Sequence, residues 1–213
     1  SGSTDHNTGT SASFNLPSGI TTDGTNLYVA DTGNHRIRKI VISSGVVTTL
    51  AGSSLGFLDN TTGTSAKFNY PYGITTDGTN LYVADSDNNR IRKIVISTGV
   101  VTTLAGQSDN GSTDATGTSA SFYNPRGITT DGTNLYVADT NNHRIRKIVI
   151  STGVVTTLAG SSSGSTDATG TSASFTHPQG ITTDGTNLYV ADSNNHRIRK
   201  IVISTGVVTT LAG

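Results

Sequence analysis

Short apolar runs separated by polar turns make up most of this chain, and they return in the same order four times. The stretch GITTDGTNLYVAD spans Gly19 to Asp31 and recurs unaltered at Gly73–Asp85, Gly127–Asp139 and Gly180–Asp192. Within it, Ile20 to Thr22 and Leu27 to Ala30 are β-branched or aromatic runs on either side of Asp23-Gly24, a pair suited to the positive φ of hairpin turns. A third run, Ile37 to Ile42, stops at Ser43-Ser44-Gly45, and a fourth, Val46 to Leu50, follows at once. Four strands joined by loops this short form an antiparallel meander. Runs such as Ile40-Val41-Ile42 do not alternate apolar with polar, so both faces of the sheet are expected to be covered.

The period is set by Phe14, Phe68, Phe122 and Phe175, which recur at spacings of 54, 54 and 53 residues, as do Pro17, Pro71, Pro125 and Pro178. A repeat of this length that contains one four-stranded sheet predicts an array of sheets packed face to face. Closing such an array into a ring covers the faces that a linear stack would leave to water. The expectation is therefore an all-β chain, a β-propeller of four-stranded antiparallel blades with four blades per chain, forming a single propeller or half-propeller domain over 1–213. The blades fall at about 14–52, 68–106, 122–160 and 175–213, and Gly/Ser/Thr linkers such as SSSGSTDATGTSAS, from Ser161 to Ser174, join them. The Phe that follows each linker is expected to anchor it. Gly2-Ser3-Thr4-Asp5 matches Gly111–Asp114 and Gly164–Asp167, so a whole number of units is expected. Closure is expected from face packing, either between blades one and four of one chain or between two chains. The preferred expectation is a homodimer closing an eight-bladed ring about a two-fold axis, the commonest relation in homo-oligomers.

Composition narrows the chemistry. Acidic and basic residues balance at 14 each, and charged residues are 13% of the chain, about half the ~25% of an ordinary globular protein. No strong field for nucleic acid or membrane follows from that balance. Every acid is Asp, and Cys, Met and Trp are absent, which removes disulfides and thiolate metal sites. No apolar run approaches the ~20 residues of a membrane span, and Ser1 to Ser13 has no apolar signal-peptide core. The Ser, Thr and Gly richness leans toward a secreted or cell-envelope location.

The succession Pro-x-Gly-Ile-x-x-Asp, Leu-Tyr-Val-Ala-Asp and Asn-x-Arg-Ile resembles the NHL repeat. In unit three it reads Pro125-Arg126-Gly127-Ile128, Asp131, Leu135 to Asp139 and Asn142-His143-Arg144-Ile145. The resemblance covers all four units and implies a propeller. It is silent on one activity, because NHL propellers include protein-binding and RNA-binding modules, and related propellers include metal-assisted lyases and hydrolases. The family commonly has six blades, and its blades are commonly less alike than these four. Recent amplification, or construction from a single natural blade, accounts for both departures.

Candidate site residues divide into repeated and individual ones. Asp31 with Arg36, and the counterparts Asp85 with Arg90, Asp139 with Arg144 and Asp192 with Arg197, are read as structural braces rather than as catalytic acids beside cations. His35, His143 and His196 precede those arginines, with Asn89 in their place in unit two. They are read as locally hydrogen-bonded turn residues, because blade rotation keeps equivalent positions too far apart to share a metal ion. Arg36-Ile37-Arg38-Lys39 and its copies supply 12 of the 14 cations. Asp23 and Asp31 are expected to offset them, which argues against nucleic-acid binding. Asp114 and Asp167 could join loop carbonyls around calcium, but one carboxylate per loop is few. The units differ mainly around the proline and after Leu-Tyr-Val-Ala-Asp, two connections at the same end of a meander. Tyr70, Tyr72, Tyr123, Arg126 and His177 are thus the candidate binding residues, since aromatics and Arg dominate recognition hot spots. The expectation is a non-enzymatic, self-assembling scaffold, with no catalytic residues, metal or cofactor, recognising a protein or a ligand on one loop face. The alternative is a lectin-like module with one glycan or small-ligand site per blade.

Overall fold

The Asp23-Gly24 pair explains why each repeat opens with a hairpin. In the computed structural model, which describes residues 2–213, the Asp23 carboxylate accepts hydrogen bonds from the amides of Thr25 at 2.8 Å and Asn26 at 2.6 Å. Gly24 takes φ +86°, a conformation that side chains disfavour. The turn sets β1 (Pro17–Thr22) against β2 (Asn26–Asp31), with Ile20 opposite Val29 and Thr22 opposite Leu27. A single 3-10 turn over Thr32–Asn34 then ends in left-handed His35, at φ 56°, and reverses the chain into β3 (Arg36–Val41). Gly45, at φ +70°, makes the last reversal into β4 (Val47–Ala51). The strands match the sequence expectation to within a few residues. β1 starts earlier, at Pro17, because a bulge between Pro17 and Ile20 keeps the proline in the ladder opposite Asp31.

The same meander appears three more times. β5 to β8 cover Pro71–Thr76, Asn80–Asp85, Arg90–Val95 and Val101–Ala105. β9 to β12 cover Pro125–Thr130, Asn134–Asp139, Arg144–Val149 and Val155–Ala159. β13 to β16 cover Pro178–Thr183, Asn187–Asp192, Arg197–Val202 and Val208–Ala212. Each set is one antiparallel four-stranded sheet in sequential order, so the chain has four propeller blades.

Two compact units emerge, one up to Thr103 and one from Leu104 onward, with the boundary inside β8. In the first, blade one turns Tyr28, Ala30, Ile37 and Ala51 toward Leu81, Val83 and Ile94 of blade two, with Ala66 and Phe68 of the intervening linker wedged into the same cluster. The second unit repeats the arrangement. Tyr136, Ala138, Ile145 and Ala159 face Leu188, Val190 and Ile201 across Ala173 and Phe175. Phe68 and Phe175 are fully buried, and each such ring contributes about 1.5–3 kcal/mol by leaving water. The core of each unit is therefore a seam between blades.

The Pro-x-Gly glycine is set by that seam. β1 and β5 run side by side, as do β9 and β13. A Cβ on Gly19 would collide with the carbonyl of Tyr72 in the next blade, and one on Gly127 with the carbonyl of Gln179. Neighbouring inner strands can approach this closely only because the side chain is missing.

Candidate functional site

Alternation along β3 places Arg38 on the face away from Ile37, and there it is fully buried. One guanidinium nitrogen donates to Asp31 at 2.8 Å and to the Ser13 carbonyl at 2.9 Å. The other donates to the Thr4 carbonyl at 2.9 Å and to Asp5 at 2.7 Å. The cation also lies over the Phe14 ring, 4.9 Å from its centroid. Arg92, Arg146 and Arg199 repeat this clamp with Asp85 and Asp59, Asp139 and Asp114, and Asp192 and Asp167. Each blade therefore holds the linker that precedes it through one arginine bound between a buried aspartate and a half-exposed linker aspartate.

The expected brace is thereby corrected. Asp31, Asp85, Asp139 and Asp192 do brace the blade, but their ion-pair partners are Arg38, Arg92, Arg146 and Arg199. Arg36, Arg90, Arg144 and Arg197 sit opposite these aspartates in the β-ladder, yet their side chains point elsewhere. Arg36 reaches the carbonyls of Ser3 and Ser53, Arg144 that of Ser112, and Arg197 that of Ser165. Arg90 reaches the Asn88 carbonyl and lies 3.8 Å from the centroid of the Phe57 ring. Nor does Asp23 offset a cation. Its second oxygen accepts from the Tyr28 hydroxyl at 2.8 Å and from the Asn26 side chain.

Asp114 and Asp167 are committed as well. Asp114 accepts from Arg146, from the Thr157 amide at 2.9 Å and from the Thr157 hydroxyl, and Asp167 does the same with Arg199 and Thr210. The calcium reading is replaced by this linker anchor. Among the described residues, no group of three or more His, Asp, Glu or Cys side chains is disposed to hold a metal ion.

Titration behaviour follows the same network. Burial raises the Asp139 carboxyl, against the pull of Arg146, and raises Asp85 to about 6 against that of Arg92. Burial also acts upward on Asp5 and Asp114, but hydrogen bonds from Thr49 or Thr157 and from the arginine outweigh it and hold both below the ordinary value. Burial and the hydrogen bond to Asp23 push the Tyr28 phenol up to about 12.

His35, His143 and His196 are locally bonded turn residues, their amides donating to the carbonyls of Thr32, Thr140 and Ser193, and the rings of His35 and His143 also act between blades. His35 Nδ1 accepts from the Tyr70 amide at 3.2 Å, and the Tyr70 ring meets it edge-on, with centroids 4.9 Å apart. His143 and His177 repeat this, at 3.2 Å and 4.7 Å. Burial lowers both His35 and His143, with Asp87 opposing it for His35. Two of the individual residues, Tyr70 and His177, are thus seam residues. Both hold left-handed backbone, at φ 48° and 50°, a costly state for side chains of this size.

In the first unit, Tyr70 stays 41% exposed, while Tyr72 is half-buried on β5 and its carbonyl accepts from Ser18 Oγ. In the second, Tyr123 is 40% exposed although its amide donates to Asp139, and half-buried Arg126 donates to the Asn124 side chain. Sequence reasoning missed the Asp-Arg clamp. The signal that could have found it was the fixed seven-residue spacing from Asp31 to Arg38 together with the Asp repeated in every linker.

The NHL repeat model matches residues 14–40, 122–148 and 175–201, so each match runs from the anchoring Phe into the third strand. The chain is built from NHL repeats. NHL repeat-containing protein 2 of Homo sapiens is 36% identical over 164 residues, covering 69% of this chain and 22% of that protein. The curated relatives it matches are longer, and the chain spans between 21% and 33% of their lengths. Among solved structures, an auxiliary nutrient binding protein from Bacteroides ovatus superposes with a TM-score of 0.70 at 21% identity, covering 93% of this chain and 49% of that one. A catalytically inactive virginiamycin B lyase from Staphylococcus aureus, solved with quinupristin, gives 0.62 at 20% identity over 92% and 55%. These likenesses establish the NHL propeller fold.

Proposed function

We propose that this NHL-repeat chain is a non-catalytic, self-assembling scaffold that presents one loop face for recognition of another protein. The observation that carries the reading is where the repeated polar groups go. The arginine clamp, the Asp23-type turn acid and the seam histidines each serve to hold a blade or to join two. Residues spent in this way are poor candidates for nucleophile or acid–base work, which needs a reactive group facing a substrate cavity. Individuality is left to the connections near Tyr72, Tyr123 and Arg126, where exposed Tyr123 and half-buried Tyr72 and Arg126 are residue types suited to protein contact.

Self-assembly rests on the apolar faces of the outer blades. A second chain covers both of them if the pair closes an eight-bladed ring. Light scattering at micromolar concentration is then expected to give twice the 21.9 kDa chain mass, and a mass near 22 kDa would sink that part of the reading. A lectin-like module is the second reading, favoured by one observation only: the same turns recur in every blade. Glycan-array binding with several sites per chain would select it over the scaffold.

A further inference from the structure

The outer faces of blades one and four are halves of a seam whose complete form is already present inside each unit. Blade four turns Tyr189, Ala191, Ile198 and Ala212 outward, the same residues that blade one buries completely as Tyr28, Ala30, Ile37 and Ala51. Here Ile198 is 41% and Leu211 58% exposed, and a shallow recess lies between Ala191, His196, Ile198, Ala212 and Gly213. In the completed seams this place is taken by the linker phenylalanine. A Cβ on Gly52 would meet Phe68 at 3.1 Å, and one on Gly160 would meet Phe175 at 2.9 Å.

Blade one carries the complementary half. Phe14 and Ala12 are half-buried, whereas Phe68, Ala66, Phe175 and Ala173 are fully buried, and Ile20 is 60% exposed where Ile74 is 5%. The polar fittings match too. Thr32 and Thr140 donate to the carbonyls of Pro71 and Pro178 in the following blade, and Ser193 offers the corresponding hydroxyl. His35 and His143 accept from the amides of Tyr70 and His177. On blade four the corresponding imidazole is exposed His196, and on blade one the corresponding residue is Leu16, already left-handed at φ 49°.

Resting on the self-assembly reading, we infer that the blade-four recess is a socket for the Ala12–Phe14 segment of a second copy of this chain. Phe14 seats against Ile198, Ala212 and Gly213, the Leu16 amide donates to His196 Nδ1, and the Ser193 hydroxyl donates to the Pro17 carbonyl. Because each chain carries one socket, on blade four, and one plug, ahead of blade one, a two-fold pair forms this seam twice. The occupant is a second copy because its Ala12, Phe14 and Ile20 repeat Ala66, Phe68 and Ile74, and Ala173, Phe175 and Ile181, of the internal seams, with Leu16 standing where those carry Tyr70 and His177.

The test compares the 213-residue chain with two variants by light scattering and circular dichroism over a concentration series. Phe14→Ala removes the plug and Ile198→Arg blocks the socket, each at a side chain that is not fully buried in the single chain. Both variants are expected to keep the β-sheet spectrum and to weaken self-association by about a hundredfold or more, since an aromatic anchor is lost or a charge is buried at both seams. A dimer whose dissociation constant is unchanged by both variants overturns the socket while leaving self-assembly standing. A wild-type chain at its single-chain mass overturns both. A dimer disrupted by Ile198→Arg but not by Phe14→Ala assigns the seam to the blade face and overturns the plug.

Discussion

Replacing Arg146 by alanine should be as damaging as any truncation of the clamp within the second unit. The guanidinium donates to Asp139 at 2.8 Å, to Asp114 at 2.6 Å and to the carbonyls of Ser121 and Thr113 at 2.9 and 3.0 Å, and it lies 5.0 Å from the Phe122 ring centroid. Asp139 has no exposed side-chain surface, so truncation leaves a buried carboxylate with only the Asn142 side chain and the Tyr123 amide as donors. Removing one partner of a buried ion pair costs about 3–5 kcal/mol. For a chain of this size that lowers the melting temperature by about 6–20 °C, taking about 2–4 °C per kcal/mol. Arg144→Ala is the control, because that side chain donates to one carbonyl, of Ser112, at 3.4 Å, and it should cost about 1 kcal/mol or less. The loss at Arg146 should also depend on pH. Burial already raises Asp139 above its ordinary 3.8, and without Arg146 it rises further. The folded state then holds a proton that the unfolded state releases, so the variant loses stability as pH climbs through the folded value. Its deficit relative to wild type is therefore smaller at pH 4 than at pH 8. Thermal melts of both variants at the two pH values decide the matter. Equal losses at Arg144 and Arg146, or a loss at Arg146 below about 1 kcal/mol, would refute the clamp.

Two further outcomes follow from the seams. Gly19→Ala should destabilise by about 1–3 kcal/mol, since its Cβ would strike the Tyr72 carbonyl. Gly180→Ala, whose Cβ would meet nothing closer than Ala191 at 3.5 Å, should leave the single chain's melting temperature unchanged and weaken dimerisation instead. His35 and His143 accept hydrogen bonds at Nδ1 and are lowered by burial below their ordinary 6.5. The stability they provide is present above that value and is lost as pH falls through the lower folded value. The denaturation midpoint should thus drop between pH 7 and pH 5. The pair His35→Asn with His143→Asn should flatten that drop, Asn being the residue that blade two carries at Asn89 with the same left-handed backbone.

The blades were legible because their determinants are local. Asp23-Gly24 and Gly45 act on the residues beside them, so the meander follows from a few positions of sequence. The clamp was harder because Arg36 and Arg38 lie on the same face of β3, and strand alternation cannot choose between them. That choice is made by a linker about thirty residues away, where Asp5 and the Thr4 carbonyl meet Arg38. The inter-blade role of the His35 and His143 rings was hidden for a similar reason. Their acceptor role depends on a left-handed residue before proline, at Tyr70 and His177, where extended backbone is the usual preference. The loop-face residues were placed by differences between units, and that signal marks where the blades vary without separating seam contacts, such as Tyr70 to His35, from surface free for a partner.

Burial of the outer blade faces against a second copy can be read side chain by side chain with hydroxyl-radical footprinting and mass spectrometry. Ile198 and Phe14 should be labelled as weakly as Phe68 and Phe175 in the assembled protein, because the counterparts of Ile198, Ile37 and Ile145, are fully buried, while exposed Leu55 and Phe57 are labelled freely. Labelling of Ile198 and Phe14 at the level of Leu55 would mean that these faces stay open to water.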